Sequence, residues 1–235
     1  MATVDQLEYF TYGTDGGVAT ITFNRPDRRN GLDPNVMLEF ETLIHRVRND
    51  NDIRVFIVTG TGTAFCAGAD LDYARRPTSD EDKTRAVAAM GLVPRIIGRV
   101  FDVIVSMDAI SVGAINGFAI GGGWSIALAF DHVIAVEGVE FWVPEVDLGV
   151  PFRGLANITL TERLGPTLAK EACILCRHFS AEELRDLRVI NQVVPADELM
   201  ATARRVAEAY ASKPSKAAVG TKRDINSVLY GTRHY

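Results

Sequence analysis

The sequence predicts an α/β fold with parallel strand pairing, and three observations carry that expectation. Short apolar runs rich in β-branched residues alternate with amphipathic helical stretches along most of the chain. The run "IRVFIVTG" (53–60) holds a continuous apolar stretch from Val55 to Val58 and is closed by glycine, as in a strand buried on both faces. Glycine-containing turns follow two such runs, "GTGTAFCAGADL" (60–71) and "INGFAIGGGWS" (115–125). Such turns at the carboxyl ends of strands are where open α/β sheets bind ligands.

In chain order, "GVATITF" (17–23) alternates and reads as a strand. Asp33 followed by Pro34 is an N-cap with proline in the first turn, and Val36, Met37, Phe40, Leu43, Ile44 and Val47 form one helical stripe behind it. After the strand 53–60, the polar stretch 74–85 reads as a mobile loop, and a helix is expected from there to about Ser106. A strand at 109–115 leads into the triple glycine and a helix through Phe130. "HVIAVEG" and "EFWVPE" read as further strands, and 153–210 as mostly helical. No repeat, low-complexity tract or linker divides the 235 residues, so one domain is expected.

Composition narrows the function. A net charge of −5 argues against a nucleic-acid-binding surface. No segment nears the roughly 18 apolar residues of a membrane span, and "MATVDQLEYF" lacks the apolar centre of a signal peptide. A cytoplasmic location follows, with Cys66, Cys173 and Cys176 as reduced thiols. Cys173 and Cys176, with His178 nearby, are too few ligands for a metal site.

The two glycine turns can aim two backbone N–H groups at one oxygen, and the second opens a helix whose N-terminal dipole favours a developing anion. Tight turns and close helix packing explain the same glycines, so spacing alone leaves both readings open. No phosphate-loop or dinucleotide fingerprint surrounds the glycine triplet.

"NRPDRRNGLD" (24–33), "IVTGTGTAFCAGADL" (57–71), "AINGFAIGGGWSIALAFDHVIA" (114–135) and "FWVPEVDLGVP" (141–151) together resemble, in order and spacing, the motifs of the enoyl-CoA hydratase/isomerase (crotonase) family. The resemblance covers about residues 5 to 220. It implies a crotonase-like β-spiral of ββα units over about 1–190, a helical C-terminal region over about 191–235, and assembly as a homotrimer or homohexamer. It implies an acyl-CoA thioester as substrate, with no cofactor beyond the coenzyme A that the substrate carries. The thioester oxygen is expected between the N–H groups of Ala69 and Gly122. Arg25, Arg28 and Arg29 are expected near the pantetheine and phosphates, and Cys66, Ala67, Asp70, Leu71 and Gly121 along the adenine and thioester. Chains of this family usually run on through further helices, so this one is expected to be short at its C-terminal end.

The resemblance also breaks. Hydratases of the family carry two glutamates that hold a water; the first position is Ser125 here, and the second is Glu145 in "VPE". A serine hydroxyl is no general base near neutral pH. One carboxylate suits a proton shuttle, so double-bond isomerisation is expected over hydration, with Asp147 as an auxiliary acid. "PFRGLA" places Phe152 and Arg153 where the family has glycines, and with Trp124 they are expected to shape the acyl pocket. Asp131 and His132 are expected to be structural. Two other readings stay open: an acyl-CoA-binding protein without turnover, and a thioester or C–C bond hydrolase using Ser125 as nucleophile.

Overall fold

The computed structural model describes residues 3–75 and 91–231. Two sheets organise them. The larger has seven strands: β1 (Thr3–Gln6), β2 (Phe10–Asp15), β3 (Val18–Phe23), β4 (Val55–Gly60), β6 (Ile110–Ile115), β8 (His132–Val136) and β11 (Gln192–Val194), adjacent in that order. The first three pair antiparallel, β2 and β3 through a two-residue turn in which Gly16 and Gly17 both have positive φ. That is the turn whose twist matches a hairpin. From β3 to β11 all pairing is parallel. The smaller sheet runs β10 (Phe179–Ser180), β9 (Glu140–Trp142), β7 (Phe118–Ile120) and β5 (Ala64–Cys66).

The connection between the sheets repeats. β4 then β5, β6 then β7, and β8 then β9 each place the first strand in the large sheet and the second in the small one. Each pair is followed by helix: α2 (Leu71–Arg75) and α3 (Leu92–Ser106), α4 (Gly122–Leu128), and α5 (Leu155–Ile174). This is a spiral of ββα units, and because β5, β7 and β9 lie side by side and parallel, the segments that follow them leave from the same end of the small sheet.

Local sequence explains the elements. Asp33 caps α1 (Pro34–Asn49), its Oδ1 accepting from the N–H groups of Asn35 at 2.8 Å and Val36 at 3.1 Å. All six apolar residues of its stripe are buried. β4 is apolar from Val55 to Val58 because both faces are covered. One face looks toward the core containing Phe56, Val58 and Phe40; the other meets Leu199, Ala203 and Ala207 of α7 (Leu199–Ala211) through Val55 and Ile57.

Two expectations need correcting. The strand expected at 140–145 pairs only to Trp142, because Pro144 has no N–H to give and the chain turns there. The stretch 153–210 is mostly helical, as expected, with the short strands β10 and β11 before and after α6 (Ala181–Asp186). The large sheet runs past residue 190 through β11, and α7 packs on it. The helix from the triple glycine ends at Leu128 rather than Phe130. Of the loop expected at 74–85, residues 74–75 close α2, and the rest lies outside the described residues. The last helix, α8, spans Ser215–Tyr230. Among the described residues no helix is long and apolar enough to cross a membrane.

Candidate active site

Two turns meet beside the small sheet. Leu32 pairs with the first: its N–H donates to Gly68 O at 2.7 Å and its carbonyl accepts from Asp70 N at 2.9 Å. Ala69, between those groups, is exposed, and among the described residues its N–H has no acceptor. The second turn, Gly121–Gly123, lies against the first. A β-carbon on Gly68 would sit 2.7 Å from Ile120 O and 3.5 Å from Gly122 N, and one on Gly123 would overlap Cys66 O. Those two glycines let the backbones touch. Gly122 is the first residue of α4, so its N–H is one of the donors a helix leaves unpaired. Two unpaired N–H groups, on Ala69 and Gly122, thus flank the same contact.

Glu145 approaches from a third segment. β9 ends at Trp142, and a turn follows in which Glu145 O accepts from Val150 N at 2.8 Å and Leu148 N at 3.1 Å. The carboxylate points back onto the glycine turn, with Oε1 against the Cα of Gly121. Oε2 is buried and unpartnered among the described residues. Burial raises the Glu145 pKa above the ordinary carboxylate value. A partly desolvated carboxylate without a counter-charge is a group suited to taking and returning a proton near neutral pH.

Ser125 sits one turn into α4, 4% exposed, and its Oγ donates to Gly121 O at 3.2 Å. That is an internal helix bond, and among the described residues no base hydrogen-bonds to the hydroxyl. His132 Nδ1 is 3.3 Å from the Tyr210 hydroxyl and its Nε2 is 3.2 Å from Gln192 Nε2. His178 stacks on Trp142 and contacts Glu140. Activation of Ser125 as a nucleophile therefore lacks its partner. Asp147 is exposed on the same turn as Glu145, without a polar partner among the described residues.

The arginines divide. Arg25 is committed internally: Nη1 donates to Gly31 O at 2.8 Å and to Asp33 Oδ2 at 3.3 Å, and Nη2 to Asp70 Oδ2 at 3.3 Å. It ties the α1 cap to the Ala69 turn, because Asp70 Oδ1 in turn caps α2 by accepting from Asp72 N and Tyr73 N. Arg28 pairs with Asp72 at 2.7 Å on the surface, and Arg29 is exposed in a left-handed conformation. Cys66 is fully buried, which pushes its thiol up to about 12. Ala67 N donates to Arg29 O at 3.0 Å, and Leu71 is half exposed.

Trp124 departs from its expected place. It is 1% exposed and packs between Phe141 and Phe179 at centroid distances of 5.8 and 6.0 Å, as a core residue. Phe152 is half-buried against the core and Arg153 is exposed. Asp131 Oδ2 accepts from Ser111 N, Ser111 Oγ and Lys222 Nζ, each at 2.8 Å, which is a structural role.

Three polar residues escape a reading by motif chemistry. Asn30 is fully buried: its Oδ1 accepts from Arg25 N at 2.9 Å, and its Nδ2 donates to Thr61 O at 3.0 Å and Ala64 O at 2.8 Å, bracing the first turn. Asn157 Nδ2 donates to Phe152 O at 2.8 Å, and its Oδ1 lies 3.8 Å from Cys173 Sγ. Burial, then the charge of Glu145, pushes the Cys173 thiol up to about 11. Only the asparagine-glycine pair at 30–31 gives any sequence signal, and it signals a turn.

Known proteins share this arrangement at chain scale. The sequence profile of the family described as enoyl-CoA hydratase/isomerase matches residues 13–232. A short-chain-enoyl-CoA hydratase of Clostridium acetobutylicum is 30% identical over 213 residues, 90% of this chain and 78% of that protein. A carnitinyl-CoA dehydratase of Proteus mirabilis is 33% identical over 210 residues, 89% of this chain and 77% of that protein. The crystal structure of an enoyl-CoA hydratase/isomerase from Xanthobacter autotrophicus Py2 superposes with a TM-score of 0.84 at 28% identity, covering 96% of this chain and 81% of that one. The chain belongs to the enoyl-CoA hydratase/isomerase family, and its spiral of ββα units is the fold of that family.

Proposed function

We propose that this acyl-CoA enzyme moves a carbon–carbon double bond, with Glu145 as its single acid/base. The Ala69 and Gly122 N–H groups receive the thioester oxygen. Glu145 takes a proton from C2 of a 3-enoyl thioester, the electron pair moves onto that oxygen as a dienolate, and the proton returns at C4. The double bond then lies between C2 and C3. Fixed donors stabilise the dienolate without reorganising, a contribution typically worth roughly 3–4 kcal/mol.

One observation carries the reading: the buried, unpartnered Oε2 of Glu145 lies beside the helix end that offers Gly122 N–H, while the other polar side chain there, Ser125, is spent on Gly121 O. The hydratase names of several relatives favour hydration instead, a reaction that needs a held water. Of the arginines, Arg29 and the surface-paired Arg28 are the ones placed to meet phosphates, with Arg25 positioning the Ala69 turn. A homotrimer or homohexamer belongs to the same reading; the outward Val228 of α8, 84% exposed, supports an assembled form.

The test assays 3-enoyl-CoA isomerisation and 2-enoyl-CoA hydration side by side, in wild type and Glu145→Gln. The reading expects isomerisation to dominate and to fall by about 10²-fold or more in the variant. Hydration as the faster reaction overturns the preference, and unchanged rates in Glu145→Gln overturn the role of the glutamate.

A further inference from the structure

Two cavities open beneath α8, and neither is bordered by Ala69, Gly121 or Glu145. The larger holds about 600 Å3, within the range of roughly 300–1,000 Å3 usual for small-molecule sites. Its walls are mainly apolar: Ile110 and Phe130 come from the sheet side, and Ile225 and Leu229 from α8. Charge is not balanced around it. Arg163, Lys213 and Lys222 line it against one carboxylate, Asp131. Lys222 and Asp131 neutralise each other at 2.8 Å, and Lys222 also donates to Ile104 O and Ala109 O, so that pair is complete.

Arg163 is the half-buried cation of this wall, favoured in its charged form by Tyr230 and, at longer range, by Asp131. Its Nη1 donates to Val189 O at 2.9 Å, and the Tyr230 hydroxyl is its other close polar neighbour. Among the described residues no carboxylate reaches it at ion-pair distance. Burial works against its charged form and lowers its pKa. A partly desolvated guanidinium facing an apolar cavity is a poor solution for an empty site and a good one for a carboxylate, which it can grip with two parallel hydrogen bonds.

We propose that this cavity binds a monocarboxylate with an unbranched apolar tail, the head on Arg163 and the tail against Phe130, Ile225 and Leu229. The ligand class is the free medium-chain carboxylic acid, and the site is separate from the thioester site. Tyr230 and α8 close over the ligand, so binding also secures the last helix.

The experiment is calorimetric titration of the full chain with decanoate, with decan-1-ol and with decyltrimethylammonium. Decanoate alone is expected to bind saturably. Arg163→Leu should weaken it by about tenfold or more, the loss expected for a charge-assisted hydrogen bond. Ala217→Trp, which fills the cavity from an exposed wall position, should abolish it while leaving turnover of thioester substrates unchanged. Coenzyme A should not compete. Absent decanoate binding, equally tight binding of the alcohol, or displacement by coenzyme A overturns the proposal, as does wild-type affinity in the folded Ala217→Trp protein. Should Arg163→Leu fail to fold, Ala217→Trp decides.

Discussion

The carboxylate of Glu145 occupies the space beside Gly121: a β-carbon there would lie 3.0 Å from Glu145 Cδ, 3.2 Å from Oε2, and would overlap Oε1. Gly121 also has φ +48° and ψ −112°, which L side chains rarely adopt. Gly121→Ala is therefore expected to push the carboxylate aside and shift the first N–H of α4. Turnover should fall by about 10²-fold or more, in line with loss of a general base. Circular dichroism should still show a folded protein. An active Gly121→Ala enzyme would mean that the Glu145 carboxylate does not work from this position.

The pH dependence follows from burial. The folded state binds the Glu145 proton more tightly than the unfolded chain, since its pKa is raised above 4.5. Below the unfolded value both states are protonated. As pH rises past it, the unfolded chain releases its proton first, so the site's contribution to stability declines until Glu145 ionises in the folded protein. Glu145→Gln removes that decline. The variant should melt higher than wild type at neutral pH and equally at pH values below about 4. The acid limb of wild-type kcat/KM should likewise lie above the ordinary carboxylate range. A difference in melting that stays constant with pH would rule out desolvation of Glu145.

Ser125 tests which reaction the site can run. Its hydroxyl bonds Gly121 O inside α4, so Ser125→Ala should leave isomerisation within a few-fold of wild type. Ser125→Glu adds a second carboxylate at the same helix end and should raise hydration of a short 2-enoyl-CoA, by about tenfold or more if its geometry holds a water. The gain should depend on pH, because neighbouring carboxylates raise each other's proton affinity. Abolished turnover in Ser125→Ala, with Glu145→Gln active, would make the serine the catalytic group.

Lys222 and Asp131 form the ion pair that fastens α8 to the sheet, with side chains 5% and 18% exposed. Removing one partner strands the other charge. Asp131→Asn and Lys222→Met should each lower unfolding free energy by about 3–5 kcal/mol, and the double variant should recover much of that loss. Urea denaturation of the four proteins of the cycle measures it. Additive single losses would show that the two side chains act independently.

Much of the fold was legible because its signals are local. Asp33-Pro34 and the buried stripe behind it specify α1 without help from the rest of the chain, and the continuous apolar stretch from Val55 to Val58 specifies a strand covered on both faces. The short strands within 153–210 were not legible in this way. β10 has two residues and β11 three, and each exists only because β9 and β8 offer a free edge. Propensity over so few residues cannot outweigh tertiary pairing.

The site divides along the same line. Sequence by itself named the candidates for chemistry: the glycines that permit two turns, one carboxylate after a proline, and a serine where a second carboxylate is absent. Tertiary structure decided what each one faces. It turned Trp124 into the core against Phe141 and Phe179, spent Arg25 on Asp33 and Asp70, and brought Glu145 onto Gly121 across 24 residues of chain. The physical reason is range. Backbone conformation and hydrophobic periodicity act between near neighbours, whereas burial, unpaired N–H groups and the neutralisation of a charge depend on segments that meet only when both sheets and their helices have closed.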